Sequence, residues 1–219
     1  MKRTLLFCLL VFVTAGVSGQ SRELSLSFSN YRIETNGIYT GNGSPEIIGY
    51  EGISRLCNMG FGYYFPIFDP HENLGLGVNA TINGGLRWSS DAHHEIYADL
   101  GLPVTATVRY GAGATREAYS PVGVGIGAGF RLNAVLVPEG DPFYLENDPV
   151  VLMFFRPFMF VELVLDYQKR DNSFFDNFKI QFAFQPAYNQ SNHATELGAD
   201  ITSKMHYYSI SFIKFNAFN

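Results

Sequence analysis

The chain has 219 residues, 15 basic and 20 acidic, with a formal charge of −5 and only 16% charged residues. Nothing in that balance clusters Lys and Arg as a nucleic-acid partner requires, and with two cysteines, Cys8 and Cys57, a small fold held by several disulfides is excluded. The excess lies instead in 20 Phe, 13 Tyr and 22 Gly, a composition too aromatic and too poor in charge for an ordinary exported soluble domain.

The opening stretch "MKRTLLFCLLVFVTAGVSGQ" is basic at Lys2 and Arg3, apolar from Leu5 to Val13 and small at Ser18 and Gly19. That is the layout of a secretory signal peptide, expected over residues 1–19 with Gln20 as the first mature residue. The apolar run is too short to anchor the chain in a bilayer. Cys8 lies inside it, too early for lipid attachment. No later stretch offers the 18 or more apolar residues of a membrane helix, and residues 20–219 are expected to form one domain.

From there the sequence alternates. "LSLSFS" sets Leu24, Leu26 and Phe28 against serines; "CNMGFGYYF" sets Cys57, Met59, Phe61, Tyr63 and Phe65 against Asn58, Gly60, Gly62 and Tyr64. "LGLGVNATIN" and "LGLPVTATVRY" repeat the pattern from Leu74 and from Leu100. In "VGVGIGAGFRLN", Val122, Val124, Ile126, Ala128, Phe130 and Leu132 share one parity, against four glycines, Arg131 and Asn133. "VVLMFFRPFMFVELVLDY" keeps one parity wholly apolar while Arg156, Glu162 and Asp166 fall on the other. "FKIQFAFQPAYN" alternates again, and "YYSISFIKFNAF" slips phase after Phe212, which predicts a bulge there.

A period of two is the signature of strands. These segments also run longer than the five or six residues usual in soluble domains and match the 9–11 of a tilted membrane-crossing strand. The pattern predicts eight strands, near 23–31, 57–67, 74–84, 96–110, 121–135, 150–167, 177–189 and 206–218. The fold class is therefore all-β: a closed antiparallel eight-stranded transmembrane β-barrel, since closure alone leaves no unpaired edge in lipid. The odd-numbered connections are mostly the longer ones and are assigned to the outside.

Eight strands enclose a lumen about wide enough for side chains. The inward parity carries Asp99, Arg109, Arg131, Arg156, Glu162 and Lys179, a candidate lumen polar network, with glycines making room beside them. Tyr63, Tyr110, Tyr167, Tyr188 and Tyr208 lie near segment ends, where interface girdles place aromatics. The histidine-rich "DAHHE" at 91–95 could share a weak divalent-metal site only through loop geometry, since neighbours on a strand point to opposite faces, and reads as a solvated loop; neither the acidic "DPHEN" nor "EGDPFYLENDP" has calcium-loop spacing, so no metal and no cofactor is expected.

A signal peptide, eight alternating strands, "VGVGIGAGF" and the aromatic C-terminal strand together resemble the small outer-membrane β-barrel proteins of the OmpA-transmembrane and OmpX-like group, in particular those of Bacteroidota. The resemblance covers the whole mature chain. It implies the outer membrane of a Gram-negative bacterium, contact with its lipid and lipopolysaccharide, and insertion by the barrel-assembly machinery. One barrel relative, the lipid A deacylases, uses a His-Ser-Glu set within His-x-Ser-Asn. Here "NQSNHATE" supplies Ser191, His193 and Glu196, but Asn189 stands where that histidine belongs. The expectation is a non-enzymatic barrel serving as a structural or accessory subunit of an outer-membrane assembly. The alternatives are a free-standing barrel that binds an extracellular ligand through its loops, and a deacylase-like hydrolase.

Overall fold

The computed structural model describes residues 21–39, 46–90, 96, 98–115, 118–137, 150–166, 177–194 and 199–216. The signal segment, "DAHHE" and Glu196 lie outside them. The eight strands are β1 (Ser21–Tyr39), β2 (Glu46–His71), β3 (Leu74–Ser90), β4 (Ala98–Gly111), β5 (Val122–Val137), β6 (Val150–Leu165), β7 (Phe178–Ala194) and β8 (Ala199–Phe215). Each pairs antiparallel with the next, and β1 closes on β8, giving a closed barrel in sequence order. Among the described residues there is no helix.

Alternation decides which way each residue points. On β4 every inward position from Asp99 to Gly111 is buried, and every outward one from Leu100 to Tyr110 is exposed. β5 turns Val122, Val124, Ile126 and Phe130 outward and buries Arg131 completely. The usual arrangement of a soluble domain is thus reversed: apolar side chains cover the outside and the charges lie within.

Most strands run past the predicted ends, β1, β2, β7 and β8 to the greatest effect on the connections. The first connection, expected over 32–56, narrows to 40–45, and the seventh, expected over 190–205, narrows to 195–198. The β1–β2 ladder continues without interruption from Ser21↔Tyr64 to Tyr39↔Glu46. Backbone pairing needs no apolar stripe, so the ladder outlasts the alternation by which strands are recognised in sequence. The length difference between odd and even connections disappears with it.

The bulge expected at Phe212 is absent. β8 stays in register against β1 from Phe215 to Asp200, and Ile213 and Phe215 point inward and are buried. The apparent slip is a change of lining: at this end apolar side chains close the lumen. Phe215 packs with Val164 and Ala112. Ala112 belongs to the β4–β5 connection, which folds into the barrel mouth and buries Ala114 and Thr115 as well. Gly111 and Gly113, at φ 82° and 67°, take the left-handed conformation that this inward fold requires. That connection thus helps to close this end of the lumen.

Candidate functional site

The lumen is filled by two polar tiers. The one nearer the chain termini centres on Glu23 of β1. Lys179 of β7 donates to its Oε1, Arg109 of β4 reaches the same oxygen at 3.3 Å, and Asn79 of β3 donates to Oε2 at 2.8 Å. Arg109 also donates through Nε to Glu162 of β6 at 2.5 Å and lies over the Tyr64 ring, 3.6 Å from its centroid. Two carboxylates thus meet two cations, all four buried. In a low dielectric only such matched sets are tolerable, because an unpartnered charge there costs several kcal/mol.

Arg109 and Glu162 stand on strands separated by β5. The residue between them is Gly125, which faces Arg109 on one side and Glu162 on the other. A Cβ there would lie 2.6 Å from Glu162 Oε1 and 3.1 Å from Arg109 Cγ. The glycine is what lets the ion pair cross a strand.

The tier farther from the termini is built on Arg131. Its guanidinium donates to Asp99 Oδ2 at 2.9 Å and lies 4.2 Å from the Tyr207 ring centroid. Tyr31 donates to the same carboxylate oxygen and meets Tyr207 edge to face. Gly101 leaves the space that the Arg131 head fills, since a Cβ there would lie 2.4 Å from Nε. Arg156 is buried beside them over the Phe154 ring, and Asn133 donates to Gln185 at 3.2 Å. Leu56, Val135, Phe158 and Ile96 pack round this tier as an apolar collar.

Serines line β1 and β8 between the tiers. Ser27 and Ser211 are bonded at 2.8 Å, and the cavity beside them measures about 20 Å³, room for about one water molecule.

The structure therefore places Arg109, Glu162 and Lys179 in one tier and Asp99 and Arg131 in the other, with Arg156 beside the second. Asp166, also on that parity, lies past the end of β6, half-buried, and its N–H donates to the Pro121 carbonyl. Sequence reasoning missed Glu23, the hub, although it shares the parity of Ser25, Ser27 and Ser29. It also missed Tyr31, Tyr64 and Tyr207, whose parity marks them as inward. Tyr110 and Tyr208 face outward and Tyr63 is half-buried outward, while Tyr167 and the side chain of Tyr188 lie outside the described residues.

Ser191 and His193 stand on β7, opposite Thr202 and Asp200 of β8. Both belong to a paired strand rather than to a loop. Among the described residues no three His, Cys, Asp or Glu side chains come together as a metal site.

No protein-family model matches the chain, and no curated protein matches it. Solved structures resemble its fold. The outer membrane protein OprG from Pseudomonas aeruginosa is 10% identical, covering 92% of this chain and 98% of its own, with a TM-score of 0.48. Neisserial surface protein A is also 10% identical, covering 86% and 95%, at 0.38. The outer membrane protease OmpT from Escherichia coli is 8% identical, covering 90% and 97%, likewise at 0.38. At these identities the likeness is one of fold.

Proposed function

We propose that this chain is a non-enzymatic integral barrel of a Gram-negative outer membrane, serving as a structural or accessory subunit of a larger assembly. The observation that carries it is the lumen: two tiers of buried charged and polar side chains and an apolar collar fill it, inside a wall whose outward side chains are apolar. Such a molecule conducts nothing of solute size and presents its outer wall to lipid, lipopolysaccharide and neighbouring proteins. Insertion by the barrel-assembly machinery is part of the same proposal.

The test is purification of the tagged protein in mild detergent with quantification of companions. A stoichiometric complex with other outer-membrane proteins is expected; a strictly monomeric particle would favour the loop-binding alternative. Ser191 and His193 keep the hydrolase alternative open to a direct assay. Wild type and S191A should release equal, background amounts of acyl chain from lipid A, and serine-dependent release would overturn the non-enzymatic assignment.

A further inference from the structure

The outer wall is not charged evenly. Among the described side chains, the outward faces of β3 to β7 carry no charge. The outward Lys, Arg and His of the strands all lie on β8, β1 and β2, which are neighbours in the barrel. Apart from His71 at the β2–β3 turn, they fall at two levels. Arg22 and Lys214 stand near the termini; Arg32, Arg55, Lys204 and His206 stand toward the other end. On β1 the two levels are ten residues apart, about 33 Å along the strand and about 25 Å along the axis once the strand tilts by about 40°. That is the height of the apolar band of an outer-membrane barrel, about 25 Å. Both levels therefore lie where lipid headgroups begin.

Two rings mark the far level independently. Trp88 and Tyr208 face outward, 62% and 55% exposed. Tyr208 stands level with Asn30, and Trp88 lies where the β2–β3 register shifts, beside Arg55. Aromatic belts place such rings at headgroup height. The register also gathers the cations there. Arg32 is opposite His206, and Arg55 is opposite Asn30, two residues from Arg32. Side chains so placed on one face lie within about 8 Å of each other, and like charges directly opposite repel. An anion between them removes that repulsion. Each of these groups also has a contact within the chain, and both arginines are nonetheless exposed. Glu34, level with Lys204 and with Glu51, comes two residues farther from the apolar band. The arginines are thus nearer the lipid than those carboxylates are, and a guanidinium suits phosphate by its paired donors.

We propose that Arg32 and Arg55, with His206 beside them, bind phosphate groups of lipopolysaccharide, this end of the barrel standing in the outer leaflet. This rests on the outer-membrane reading above and not on the subunit role. Trp88 is the only tryptophan of the chain and reports on the site. Titrating the full-length protein in non-ionic detergent with bisphosphorylated lipid A should change its emission saturably. R32Q/R55Q should raise the half-saturation concentration about thirtyfold. R32K/R55K, which keeps both charges, should stay within a few-fold of wild type, and R22Q/K214Q, at the other level, should match it. Dephosphorylated lipid A and phosphatidylglycerol should bind far more weakly. Unchanged affinity in R32Q/R55Q, an equal loss in R32K/R55K or R22Q/K214Q, or equal binding of either control lipid would each overturn the proposal. Lost lipid binding with a stoichiometric protein complex intact removes this site alone. Recovery of the chain outside the outer membrane on fractionation removes the site and the outer-membrane reading together.

Discussion

Glu23 carries more of the lumen than any other acidic side chain described, because Lys179, Arg109 and Asn79 all converge on its two oxygens. Truncating it strands two buried cations at once. E23A should lower stability by about 3–5 kcal/mol, read as the shift in urea unfolding of the barrel in lipid vesicles. The loss should be smaller when K179A is added, since the double variant removes one of the stranded charges; a strictly additive double variant would deny the pair. Glycine supplies a second contrast at this scale. G125A pushes a methyl group into Glu162 and should cost about 1–3 kcal/mol. At Gly84, where a Cβ meets nothing within 4 Å, the same change should stay within about 0.5 kcal/mol.

Among the strands, β8 offers the sharpest distinction, since a bulge at Phe212 and an unbroken register predict opposite faces for everything after it. Spin labels at Ile213 and Phe215 should be shielded from lipid-soluble quenchers, and a label at Lys214 should be accessible to them, in keeping with the burial of the first two. A reversed pattern would restore the bulge. The long ends of β1, β2, β7 and β8 away from the termini belong to this scale too. They are legible in the ladder and not in the hydropathy, because polar residues hydrogen-bond through their backbone as readily as apolar ones.

For the whole molecule, closure at the termini end by Ala112, Val164 and Phe215, beneath two ionic tiers, predicts an electrically silent barrel. In planar bilayers the full-length protein should show no sustained open-channel current. A steady conductance of porin size would mean that the tiers and this closure do not fill the lumen in the membrane.

Period-two alternation, by itself, determined the strand number, the barrel class and the direction of Arg131, because strand parity is a local property that each segment carries within its own residues. The same parity held the information for Glu23 and the inward tyrosines, but strength of alternation drew attention to the apolar side. What only the tertiary structure decided are the relations between strands: that Glu23 of β1 meets Lys179 of β7, that Gly125 stands between Arg109 and Glu162, and that the β6–β7 ladder ends at Met159↔Phe184. Each depends on the register across a ladder or across the lumen, and register is fixed by how all eight strands close together.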